Sequence, residues 1–137
     1  TGDLTMDEMN MNPQPPLNAD ASPKEIAEYA VKVLDLKKAR NIKLLYTEEQ
    51  TVLADYFVIC SGTSSTQIRS LADEVEYKID KRGIKPYGVE GRDNNTWLIL
   101  DYSNVIVHIF SREAREFYNL DKLYSDTTEV KHAEDEE

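Results

Sequence analysis

One cysteine, Cys60, stands alone in 137 residues, which leaves no internal disulfide and no thiolate metal cluster. Histidine is nearly absent too: His108 and His132 are too few and too far apart to suggest a zinc site. No stretch approaches the roughly 20 apolar residues that a membrane-spanning helix needs. The N-terminus lacks a basic segment followed by an apolar run, and it lacks the Arg-rich, acid-poor make-up of an organelle presequence. The expected location is therefore cytoplasmic. Positive charge is scarce: 16 Lys and Arg against 26 Asp and Glu give a net charge of −10. Proteins that clamp nucleic acid present a basic face, because neutralising phosphates releases counterions. An acidic chain suits little direct nucleic-acid contact and better suits a basic protein partner, although such a charge also serves solubility alone.

Catalytic constellations are missing as well. The turn Gly62-Thr63-Ser64-Ser65 sits between a strand and a helix, where backbone amides and hydroxyls could hold a phosphate. No Gly-Lys-Ser/Thr follows it, so it is not a Walker loop. A capped helix start accounts for the same residues more simply. Nucleotidyl transfer would add two carboxylates one residue apart on a nearby strand, and no Asp-x-Asp pair falls on an expected strand. Cys60 lies in an apolar strand that keeps a thiol inert. His108 alternates with Val107 and Ile109, which fits a core or interface residue better than a catalyst. The missing constellations fit a protein that acts by binding, and no cofactor or metal is expected.

What is present suits one α/β domain with two tails. Residues 1–21, with three methionines, Pro13, Pro15 and Pro16, are expected to form a disordered leader. Residues 127–137 end in Glu134-Asp135-Glu136-Glu137 and read as an acidic disordered tail. The domain, 22–126, opens with Ser22 as cap, Pro23 in the first turn and Glu25 closing a capping box. Ala27, Ala30, Val31 and Leu34 share one helix face, and the helix should end near Ala39 or Arg40. Strands are expected over Ile42 to Tyr46 and Tyr56 to Cys60. A second helix carries Ile68, Leu71, Ala72, Val75 and Ile79, with Gly83 as its stop. A short strand from Pro86 to Glu90 precedes the clearest strands, Trp97 to Asp101 and Val105 to Phe110, which should pair as a hairpin. Ser111 caps a last helix, Arg112 to about Asn119, with Leu120 to Tyr124 as its extension. Helix crossovers and the hairpin together predict one mixed sheet packed with helices. Aromatics concentrate late: Trp97, Tyr102, Phe110, Phe117, Tyr118 and Tyr124. Trp97 beside a polar loop and Tyr102 in the hairpin link are candidate interface anchors.

From about Pro23 to Asp126 the residues resemble one family, the ribosomal silencing factors, also called RsfS, YbeB or Iojap. The segment Asp55-Tyr56-Phe57-Val58-Ile59-Cys60-Ser61-Gly62-Thr63-Ser64-Ser65 resembles the family's acidic residue, apolar strand and Gly-x-Ser turn. Gly88-Val89-Glu90-Gly91 followed by Trp97 resembles its Glu-Gly…Trp element. Asp101-Tyr102 and then Val105 to Phe110 resemble its strand-turn-strand with an internal Val-His. Arg115 to Tyr124 resembles its Arg-x-x-Tyr-x-Leu-Glu-x-Leu-Trp ending. The resemblance implies a nucleotidyltransferase-like fold without that chemistry, with a degenerate nucleotide-binding protein as the alternative reading. It implies binding to large-subunit ribosomal protein fourteen, steric block of small-subunit joining under nutrient limitation, and a homodimer when free. It assigns Trp97, Asp101, Tyr102, His108, Arg115 and Tyr118 to the neighbourhood of the docking face. Two positions depart from the pattern. Ser103-Asn104 replaces the usual Gly-Asp of the hairpin turn, and Tyr124 replaces Trp. Since Asn tolerates a positive φ, the turn is expected to survive with a shifted residue.

Overall fold

The computed structural model describes residues 20–47, 54–123 and 128–129. Helix α1 (Pro23–Leu36) starts as its sequence dictates. The Ser22 hydroxyl accepts from the Glu25 amide at 3.2 Å, and the Glu25 carboxylate accepts from the Ser22 amide at 2.8 Å. Ala27, Ala30, Val31, Val33 and Leu34 form its buried face. The helix stops three residues short of the expected end. Lys38 turns left-handed at φ 65°, its amide bonds to the Asp35 carbonyl, and the Ala39 amide bonds to the Leu34 carbonyl. That pair of bonds is the Schellman ending, usually built on glycine.

Strands β1 (Arg40–Tyr46) and β2 (Tyr56–Gly62) follow, then helix α2 (Ser65–Asp80). Ser64 caps α2 by accepting from the Gln67 amide at 3.1 Å. Ile68, Leu71, Ala72, Val75 and Ile79 are its buried stripe. Gly83 follows at φ 87°, three residues past the last helical one. Then come β3 (Gly88–Glu90), β4 (Trp97–Asp101) and β5 (Val105–Ser111), two short helices α3 (Arg112–Tyr118) and α4 (Leu120–Leu123), and β6 (Thr128–Glu129).

The six strands form one sheet in the order β3-β4-β5-β2-β1-β6. Only β2 and β5 run parallel; the other neighbours are antiparallel. The mixed α/β sheet expected from the sequence is therefore present. Thr128–Glu129 pair with Leu45 and Tyr46 of β1, so these two residues belong to the sheet rather than to the acidic tail expected from 127. Edge pairing satisfies backbone groups whatever the side-chain charge, which a charge count does not register. The leader up to residue 19, Tyr124 and the rest of the tail lie outside the described residues.

The hairpin between β4 and β5 turns where expected, but the left-handed residue is not shifted to Asn104. Ser103 takes φ 72° itself. Its amide bonds to the Asp101 carboxylate at 2.7 Å, which secures the turn without glycine.

The two sheet faces are covered unequally. Val58, Cys60, Leu98, Leu100, Val107 and Ile109 point into a core closed by α1 and α2. On the opposite face Phe57, Ile59 and Phe110 form a smaller cluster with Leu45, Ala54 and Ala114, flanked by Trp97, Ile106 and Leu120. Helices α3 and α4 pack at one end of this second face. Farther along, Ile99, Asp101 and Ile106 are only partly buried.

Candidate docking face

Strand alternation builds the site. In β4 the odd positions Trp97, Ile99 and Asp101 face away from the main core, while Leu98 and Leu100 are fully buried in it. The antiparallel register sets Trp97 opposite Phe110 and Ile99 opposite His108. Trp97 stacks on Phe110 with ring centres 4.9 Å apart, and Tyr118 of α3 covers it at 4.5 Å. Phe117 stands perpendicular to Tyr118 at 5.0 Å. The result is an aromatic step that rises from the sheet to the surface. Phe117 is 80% exposed and Tyr118 49%.

Beneath the step lies His108. The Trp97 Nε1–H donates to its Nδ1 at 3.1 Å. The neutral ring therefore carries its proton on Nε2. That atom is buried without a hydrogen-bond partner, with the Phe57 ring edge-on at 4.8 Å. Burial pulls the imidazole down from 6.5 to about 4, so it stays neutral at physiological pH.

Arg115 stands at the other end of the face. Its Nε and Nη2 donate to the two Asp121 carboxylate oxygens at 3.1 and 2.9 Å. Its Nη1 donates to the Asn41 carbonyl at 2.6 Å and to the Ser61 hydroxyl at 3.1 Å. Burial would raise the Asp121 carboxyl, but hydrogen bonds and charge from Arg115, with Lys43 beside it, hold it below its ordinary range. The Arg115 side chain is only 11% exposed.

Of the six residues expected near the docking face, Trp97, Tyr118 and His108 come together. His108 lies under the surface rather than on it. Asp101 shares the face but is committed to the hairpin turn. Tyr102 is the clear correction as an anchor: it is 5% exposed and packs in the main core on the other side of the sheet. Its position in the link suggested exposure, yet alternation from Leu100 carries its ring inward. Burial and then the charges of Glu76 and Asp80 raise its phenol, whose oxygen has no hydrogen-bond partner. Arg115 is likewise consumed internally, because bonds to three segments leave its guanidinium no free edge to offer. Phe117 joins the exposed aromatic group and was not among the residues expected near the docking face. A seven-residue helix has too few turns for a periodic signal, and nothing in the local sequence separates Phe117 from a core residue.

Residues Gly62–Ser65 open on a polar cleft at the carboxyl ends of the parallel pair β2 and β5, shared with Ser111 and Arg112. Such a position suits ligands in open α/β sheets. Its carboxylates are Glu113, Glu116 and Asp121. Asp121 is engaged by Arg115 and Lys43, while the other two lie exposed on α3. Among the described residues, no three His, Cys, Asp or Glu side chains gather as metal ligands. Cys60 is buried, and desolvation, opposed by the charge of Arg115, pushes its thiol up to about 12. Among the described residues no helix is long and apolar enough to cross a membrane.

Comparison with known proteins points one way. The family described as "Ribosomal silencing factor during starvation" matches residues 20–137. A "Ribosomal silencing factor RsfS" of Bacillus subtilis is 38% identical over 103 residues, spanning 75% of this chain and 87% of that protein. The mouse "Mitochondrial assembly of ribosomal large subunit protein 1" is 34% identical over 98 residues, covering 69% of this chain and 43% of that protein. A crystal structure of a Chromobacterium violaceum protein superposes with a TM-score of 0.75 at 26% identity, covering 82% of this chain and 93% of the other.

Proposed function

This chain belongs to the ribosomal silencing factor family, and from that premise we propose that it represses translation by docking on the large ribosomal subunit and excluding the small one. The observation that carries this reading is the aromatic step. Phe117 and Tyr118 are large, rigid and exposed, and side chains of that kind supply anchor energy at small entropic cost. They rest on Trp97 and adjoin a partly buried apolar strip of Ile99 and Ile106. The contact therefore has the apolar centre of an interface.

The partner is proposed to be large-subunit ribosomal protein fourteen, contacted through a basic surface. Two features support a basic partner. The chain carries a net charge of −10, and Glu113 stands exposed on the helix that presents Phe117. Opposite fields speed encounter and fix orientation. The role is steric and needs no catalysis, and nutrient limitation is its proposed setting. Between encounters the free protein is proposed to be a homodimer in the cytoplasm.

Binding to purified large-subunit protein fourteen tests this. Phe117→Ala is expected to weaken binding roughly tenfold, the cost of losing a modest anchor. Its urea midpoint should stay where it is, because the ring is mostly in solvent. Unchanged affinity would remove Phe117 from the interface.

A further inference from the structure

Helices α3 and α4 span seven and four residues. Neither is long enough to hold its shape alone, since isolated helices below about 12 residues are marginal in water. Their junction, Asn119, is left-handed at φ 50°. Something in the tertiary structure must therefore set where Phe117 and Tyr118 stand. Apolar burial contributes Ala114 and the half-buried Leu120. Phe117 itself contributes little, being 80% exposed.

Tyr118 adds its packing on Trp97 and Ser111 caps the first turn, and a further constraint is polar. Arg115 lies on α3, two residues before Phe117. It reaches 74 residues back to the Asn41 carbonyl and 54 back to the Ser61 hydroxyl. At the same time it clasps Asp121 of α4 through two parallel hydrogen bonds. A planar fork gripping a carboxylate fixes direction as well as distance. Asn41 is itself left-handed at φ 51°, beside the register shift in β1, so its carbonyl is turned out of the regular ladder. The arginine thus joins two strand ends to both short helices.

We infer that the Arg115–Asp121 pair is a positioning device for the docking face: it presets α3 so that Tyr118 sits on Trp97 and Phe117 projects, without itself touching the partner. This rests on the docking reading for its biological meaning but not for its structural content. Preorganisation raises affinity by removing the cost of ordering on binding. Loss of the clasp should then loosen the aromatic step and weaken docking in step with it.

The test uses the full chain and its single tryptophan, Trp97. Asp121→Asn keeps shape and partial hydrogen bonding but removes the charge. It is expected to increase acrylamide quenching of Trp97 and to weaken co-sedimentation with isolated large subunits by roughly tenfold. Arg115→Lys should do the same, because an ammonium cannot make the fork. Phe117→Ala separates contact from positioning, because it should weaken binding while leaving the quenching near wild type. Unchanged Trp97 quenching in both Asp121→Asn and Arg115→Lys would overturn the inference, whatever the ribosome data show. If the wild-type protein fails to bind large subunits while quenching responds as stated, the docking reading fails and the positioning role stands.

Discussion

Trp97 and His108 form a unit whose chemistry follows from one hydrogen bond. The indole donates to Nδ1, and burial keeps the ring neutral by drawing its pKa from 6.5 to about 4. A histidine whose folded pKa is depressed binds its proton later than the unfolded chain does. Its contribution to stability is present above the unfolded value and is lost as pH falls from about 6.5 towards 4. The loss over that window is on the order of 3 kcal/mol at most. Asp121 works in the same direction but at lower pH, since its carboxyl is held below its ordinary value of 3.8. Urea midpoints for wild type and His108→Gln over this window should separate the two. The variant keeps an acceptor for Trp97 and is expected to show a shallower acid slope. Parallel slopes would mean that the imidazole is not protonated on unfolding. Val107-His108-Ile109 allows a core or interface place for the ring, but its partner is not legible from these residues alone. Alternation assigns a face, but only the cross-strand register brings Trp97 and Phe57 to it.

At the scale of elements, the local signals that proved readable were those with a local cause. The capping box at Ser22 and the stripes of α1 and α2 formed as their spacing dictates, because caps and periodic faces are set within a few residues. Element ends were less legible. Lys38 and Ser103 adopt left-handed backbone without being glycine, so no sequence signal marks where α1 stops or which residue turns the hairpin. Both conformations carry strain that glycine would lack. Lys38→Gly is therefore expected to stabilise the fold by about 1 kcal/mol, with the gain seen as a higher thermal midpoint. A lower midpoint would show that the lysine side chain makes compensating contacts. The face of α3 was illegible for a different reason. A helix this short is tied down by Arg115, whose partners Asn41 and Ser61 lie 74 and 54 residues back, beyond any local window.

For the whole molecule, unequal coverage of the sheet links fold to function. Two long helices close one face. The other carries an aromatic step beside an apolar strip that is only partly buried. The family and the mixed sheet were both legible in the sequence, because motifs in order along the chain identify a lineage even where each is weak. The composition of the proposed docking face was legible only in part. Trp97 and Tyr118 come together on one side of the sheet, Tyr102 lies in the core, Arg115 is bonded internally, and Phe117 stands exposed beside Tyr118. Charge acts at this scale too. With a net charge of −10, encounter with a basic ribosomal surface should slow as salt rises, because fields between exposed charges are screened within about 10 Å at 0.1 M. The apolar step should make the dissociation rate much less sensitive.

The central claim is occlusion, and subunit joining tests it most directly. Purified protein is mixed with isolated large subunits, small subunits are added, and the products are separated by sedimentation. The account predicts that the protein travels with the large subunit alone, that joined ribosomes fall as protein is added, and that Phe117→Ala requires roughly tenfold more protein for the same effect. Protein that co-sediments with joined ribosomes, or joining that is unaffected at saturating protein, would contradict it.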